Sequence, residues 1–185
     1  MSPQQIIIIR HCEKNTTDNV NLSPTGVIRA NELPNFFLNK RPSKLKIPTE
    51  LLCTRQIDNT TSNRPYQSIK PLSKALNLPI DNKCYHNEVQ VIVDKIKKSP
   101  VSCVLVSWNH TDLVKIAQRF GVDVHFWGYN PTTDIADNPE MYDAIWVLNT
   151  NHKTFEIYKQ FSIDESGNIS YDNVKDKPVY KAIYR

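Results

Sequence analysis

The chain has 185 residues, enough for one domain that buries roughly two thirds of its unfolded surface without staples. Hydrophobic residues at 39% and charged residues at 23% argue against a disordered chain, and no stretch approaches the twenty or so apolar residues of a membrane span. A formal charge of +4 without a long basic block gives no reason to expect nucleic acid and suits an anionic small molecule.

The chain opens on "QIIII" (5 to 9), a short β-branched run apolar on both faces, as the centre of a parallel sheet requires. The run is too short for a secretory signal, which leads to an intracellular, cytoplasmic expectation. "LSPTGVIRANEL" then reads as a helix with Ser23 as N-cap and Pro24 at its first position. Pro34 is expected to kink or break it, leaving "NFFLN" as a separate turn.

"ELLCT" (50 to 54) is a second short strand, and "TTSNRPYQSIKPLSKALNL" places Arg64 at the start of the helix that comes after it. In "NEVQVIVDKIKK" (87 to 98), Val89, Ile92, Val93 and Ile96 fall at helical spacing on one face. "VSCVLVSW" (101 to 108) is a strong strand signal, and "HTDLVKIAQRFG" a helix that Gly121 is placed to end. Strand and helix thus alternate through residue 120, the pattern of an α/β domain with a mostly parallel sheet.

Residues 121 to 141 show turn residues and no sustained period, so they read as a long loop, whose His125, Phe126, Trp127 and Tyr129 either line a pocket or cover the sheet edge. "YDAIWVLN" and "TFEIYKQF" make a hairpin across "TNHK". The polar end, "SGNISYDNVKDKPVYKAIYR", reads as loosely packed. The fold class expected is a single domain over 1–185, a three-layer α/β/α sandwich with a mostly parallel central sheet and an antiparallel edge strand.

In such sheets ligands bind beyond the carboxyl ends of the parallel strands. Arg10 and His11 come directly after the first strand, and His110 comes after the 101 to 108 strand at a helix N-terminus, where unpaired N–H groups favour anions. A lone histidine after a strand is usually a cap or surface residue, and a lone arginine a solvated partner for a carboxylate. The inference of a phosphate site rests on their conjunction.

These blocks resemble a known family. "RHCEK" is similar to the R-H-G-E or R-H-A-E signature of the histidine phosphatase superfamily, the phosphoglycerate mutase-like group. "LSPTGVIRANEL" resembles its L-[ST]-x-x-G-x-x-R-A-x-x-L helix, "SNRPYQSIKPL" its S-x-R-x-x-Q-T-x-x-P-L segment, and "VLVSWNHTDLVKIA" its second-histidine strand and helix. The four blocks stand in the family's order over residues 5 to 120.

The resemblance implies that His11 is a nucleophile forming a phosphohistidine, with Arg10 and Arg64 gripping the phosphate and keeping His11 neutral, and His110 donating to the phosphoryl oxygens. Arg55 competes with Arg64 for its role; Ser62, Pro65 and Gln67 favour Arg64. The leaving alkoxide needs an acid, and a glutamate at its reference pKa is protonated only about 0.2% of the time at neutrality. Glu88 is the first choice and Asp112 the second, although acids in a first helical turn also merely complement the dipole. Asn15, Glu13, Asp112 and Trp108 are assigned to substrate binding, Glu13 as an organiser through hydrogen bonds.

Cys12 stands where the family has glycine or alanine, so it is either a packed thiol or a redox sensor beside the nucleophile. The scattered cysteines, without a CxxC pair, suggest free thiols, and Cys84 with His86 makes no metal site. No cofactor or metal is implied.

The function expected is hydrolysis of a phosphomonoester, from a soluble small molecule or a phosphopeptide, without nucleic acid or membrane. The alternatives are a catalytically weak or inactive phospho-ligand-binding module and a mutase-like phosphotransferase, the latter disfavoured because no long insertion covers a bisphosphorylated substrate. A nucleotide-binding domain is weaker, because the chain has 4 glycines and neither GxGxxG nor a P-loop lysine motif. Substrate identity and oligomeric state are left open.

Overall fold

The four isoleucines near the start of the chain divide evenly between two cores. In the computed structural model, which describes residues 2–125, 129–130, 135–136 and 141–184, strand β1 (Gln5–Arg10) is buried along its whole length. Successive side chains of a strand point to opposite faces. Ile6 and Ile8 therefore enter one core and Ile7 and Ile9 the other, each burial stabilising by roughly 1.5–3 kcal/mol.

Six further strands complete the main sheet: β2 (Glu50–Thr54), β3 (Ile80–Cys84), β4 (Cys103–Trp108), β5 (Ala144–Asn149), β6 (Thr154–Lys159) and β7 (Tyr180–Ile183). Their spatial order is β7-β6-β5-β1-β4-β2-β3. The pairs β1·β4, β4·β2 and β2·β3 are parallel, whereas β1·β5, β5·β6 and β6·β7 are antiparallel. Five strands hence run one way, and β5 and the edge strand β7 run against them.

Helices α1 (Pro24–Asn35) and α2 (Arg64–Leu76) cover one face through Ala30, Leu33, Ile69 and Leu72. Helices α3 (Val89–Lys98) and α4 (His110–Arg119) cover the other through Ile92, Val93, Ile96, Leu113 and Ile116. Three layers result, α/β/α, as expected. Gly121, at φ 90°, ends α4 in the left-handed conformation.

Three local readings need correction. The chain does not leave the helical path at Pro34: α1 runs on to Asn35, and Phe36–Lys40 continue as a π-helix. Proline withholds one N–H, and the buried rings of Phe36 and Phe37 hold the wider turn against the core. The C-terminal stretch is not loose throughout, because Tyr180–Ile183 pairs with β6 as the sheet's edge. Finally, β3 is a strand that the polar "IDNKC" did not announce.

The proposed long loop contains a two-residue pairing of Tyr129–Asn130 with Ile135–Ala136. Phe126 and Trp127 lie outside the described residues, and so do the side chains of that pairing. The predicted hairpin of β5 and β6 is present, with Lys153 turning at φ 49°.

Candidate active site

Four strands adjacent in space, β1, β4, β2 and β3, end on one rim. Each gives way there to polar residues: Arg10 and His11 at the end of β1, Asn109 and His110 after β4, Arg55 after β2, and His86 after β3. Parallel pairing makes this rim by aligning the carboxyl ends of the strands.

His11 is almost fully buried, and its backbone N–H donates to the Trp108 carbonyl at 3.0 Å, tying the end of β1 to the end of β4. Its Nδ1 lies 2.7 Å from the Cys12 carbonyl oxygen. A carbonyl only accepts, so Nδ1 carries the hydrogen and Nε2 keeps the lone pair. Burial pushes the pKa of His11 down to about 3; the Cys12 bond opposes this, and Arg64, Arg10 and His110 lower it further. The structure thus brings His11, Arg10, Arg64 and His110 into one electrostatic neighbourhood around a neutral imidazole.

Arg10 is buried with its guanidinium 4.3 Å from the ring centre of Tyr142, itself a neighbour of the His11 ring at 6.1 Å. Arg64 opens α2, where its Nε donates to Ser62 Oγ at 2.9 Å. Ser68, one turn on, accepts from the Cys12 N–H at 2.7 Å and donates to the Arg64 carbonyl at 2.8 Å. One hydroxyl therefore links the segment bearing the nucleophile to the turn bearing the clamp. His110 is exposed as the first residue of α4, with Asn109 capping the helix by accepting from Asp112 N–H at 2.9 Å.

A cavity of about 280 Å³ opens on the Arg64 side of the rim, its lining including Thr54, Arg55, Arg64, His86 and Asn109; Arg10, His11 and His110 are not among its lining residues. A second, of about 500 Å³, shares Arg55 and extends to Tyr66, Asn82 and Lys83. Both Arg55 and Arg64 face the smaller cavity, and Arg64 is the one that acts on His11.

The remaining predicted residues have other engagements. Glu13 is gripped by Arg29, whose Nε lies 2.8 and 3.0 Å from its two oxygens and whose Nη1 donates to the Phe161 carbonyl. Asn15 accepts from the N–H and hydroxyl of Thr17 in a local turn. Trp108 is not on the cavity wall: its side chain is fully buried beneath, and its indole N–H donates to the His86 carbonyl at 2.9 Å. Cys12 is buried in the core on the α1 and α2 side, where burial pushes its thiol up to about 12 against the influence of Ser68.

Both candidate acids already hold hydrogen-bond partners. Glu88 is half-buried at the N-cap of α3 and accepts from the Tyr85 N–H at 2.8 Å. Asp112 is buried, which raises its pKa, yet hydrogen bonds from Lys115, Asn109 and His86 overcome this and hold the carboxyl below its usual range. It stands as a carboxylate with three donors, at 2.7, 2.9 and 3.1 Å.

His86, which the sequence offers only as half of a dismissed metal pair with Cys84, stands on the rim of the site. It stands two residues beyond β3, as His110 stands two beyond β4, so recognising β3 would have singled it out. Edge strands are commonly charged and polar to discourage further pairing, and "IDNKC" therefore lacks an apolar run.

No protein-family model and no curated protein matches the chain. Among solved structures, it is similar to a "putative phosphohistidine phosphatase SixA" from Agrobacterium tumefaciens, with 13% identity, TM-score 0.53, and coverage of 85% of this chain and 97% of that one. It is also similar to a "putative alpha-ribazole-5'-P phosphatase" from Escherichia coli, with 10% identity, TM-score 0.52, and coverage of 86% and 97%. At these identities the likeness establishes the fold.

Proposed function

We propose that this chain, which has the phosphoglycerate mutase-like fold of the histidine phosphatases, hydrolyses a phosphomonoester through a phosphohistidine on His11. The observation that carries the reading is the tautomer of His11: with Nδ1–H held by the Cys12 carbonyl, Nε2 is a neutral nucleophile among Arg10, Arg64 and His110. In this scheme the two arginines bind the phosphoryl oxygens, Arg64 by its planar fork, and His110 adds a donor as charge shifts in transfer. Apart from water, the scheme draws only on side chains of this chain.

The first step forms the Nε2–P bond and breaks the P–O bond to the alcohol. Water then attacks the phosphorus, the N–P electrons return to Nε2, and phosphate leaves. The substrate class is a soluble phosphorylated small molecule or phosphopeptide, and the place of action proposed is the cytoplasm. No helix of the described residues is long and apolar enough to cross a membrane.

The second reading, binding of a phosphorylated ligand without turnover, is favoured by one observation: both predicted acids are engaged elsewhere. Rapid mixing with p-nitrophenyl phosphate and then a quench that preserves phosphohistidine separates the two. A phosphorylated His11, formed and discharged in the native chain and absent in His11→Ala, is the result expected. Tight binding of phosphate with no product and no phosphohistidine would overturn hydrolysis in favour of binding. A panel of sugar phosphates, nucleotides, phosphopeptides and inositol phosphates then addresses substrate identity.

A further inference from the structure

We propose that His86, held by Asp112, donates the proton to the leaving oxygen, an inference that rests on the phosphatase reading above. Three observations lead to it. His86 shares the cavity with Arg64, so it faces the space that a phosphate clamped by Arg64 would occupy. Its Nδ1 is 3.1 Å from Asp112 Oδ2, and a carboxylate only accepts, so Nδ1 bears a hydrogen and Nε2 is the nitrogen left to exchange protons. Its backbone is also fixed, because the buried Trp108 indole donates to its carbonyl.

The bland alternative is a surface histidine in an ion pair. Its side chain is 59% exposed, and such pairs are usually worth little. Here, however, the partner is 7% exposed and also held by Asn109 and Lys115, so the histidine leans on a carboxylate that is itself immobile. A buried carboxylate behind an exposed imidazole fixes the ring's tautomer and stabilises its charged form. Exposure then has a use, since the water of the second half-reaction must reach the ring.

The charges around the ring are mixed. Asp112 lies against the ring, and Lys115 is 2.7 Å from the other Asp112 oxygen. Arg55 and Arg64 line the same cavity as the ring. Glu88, on the same segment, is occupied by the Tyr85 N–H.

Atoms and charges balance across the two half-reactions. As His11 Nε2 bonds to phosphorus and the P–O bond breaks, the proton on His86 Nε2 passes to the departing oxygen, giving a neutral alcohol. When water attacks the phosphohistidine, the neutral Nε2 of His86 takes its proton, and phosphate is released. Asp112 is a positioning residue throughout.

The test is kcat/KM over a series of aryl phosphates, from p-nitrophenyl to phenyl, because this constant reports the steps up to the first loss of alcohol. A proton donor matters most for the most basic leaving group. For His86→Gln we expect a loss of about 10²–10⁴-fold on phenyl phosphate and a much smaller loss on p-nitrophenyl phosphate. For Asp112→Asn the basic limb of the pH profile should move to lower pH, since the imidazolium loses its anionic neighbour. Equal losses along the series, or an unmoved limb, would overturn the assignment. An inactive native chain removes both readings, whereas an active one whose series is indifferent to His86→Gln removes this one alone.

Discussion

Gly26 meets Glu13 backbone to backbone: a Cβ added at Gly26 would lie 2.3 Å from the Glu13 carbonyl oxygen and 3.0 Å from its nitrogen. The first turn of α1 is pressed against the segment after His11, and Ser23 N–H donates to that same carbonyl at 2.9 Å. The helix can approach only because residue 26 has no side chain. Gly26→Ala must therefore push α1 away from the nucleophile's segment, at a cost of about 1–3 kcal/mol. Thermal denaturation should show a midpoint lower by about 2–4 °C for each kcal/mol.

The Arg29–Glu13 pair is the second clamp between the same two elements, with side chains 6% and 17% exposed. Arg29→Met leaves a carboxylate stranded there, which costs about 3–5 kcal/mol. Combining it with Glu13→Gln removes the stranded charge, so the double variant should lose less than Arg29→Met alone. Urea unfolding of the three proteins checks the ordering.

His11 also makes stability depend on pH. The folded chain holds its pKa near 3 against an ordinary 6.5, so below 6.5 the unfolded chain binds a proton that the folded chain refuses. Stability from this group is complete above about 6.5 and falls as pH drops towards about 3, by a total on the order of 4 kcal/mol. His11→Asn should flatten that part of the profile. Denaturant midpoints measured across the window will show whether it does.

Cys12 lies beside the nucleophile and yet should be chemically quiet. Its thiol is buried and its pKa raised to about 12, so the reactive thiolate is scarce. Iodoacetamide or mild peroxide applied to the folded chain should leave Cys12 unmodified by mass spectrometry, and Cys12→Ala should keep its activity. Rapid labelling at Cys12 would restore the redox alternative.

The elements that the sequence announces are those whose burial is one-sided or total. The isoleucine run and "VSCVLVSW" became the two central strands, and the spacing of Val89, Ile92, Val93 and Ile96 became the buried face of α3. Strands at the two edges, β3 and β7, escaped notice because exposure lets their residues be polar. In the site, Arg10, His11 and His110 were legible as residues placed at or just after the ends of strong strands. The pairing of His86 with Asp112 was not: they are 26 positions apart, and no local period reveals which side chains meet across a rim.

Trp108 touches both ends of the chemistry proposed here without facing the cavity. Its carbonyl accepts the backbone N–H of His11, and its indole N–H, on the same residue, donates to the carbonyl of His86. The backbones of nucleophile and proposed proton donor are thereby both tied to one buried residue. A change at Trp108, off the cavity wall, therefore reaches the proposed nucleophile and the proposed proton donor at once.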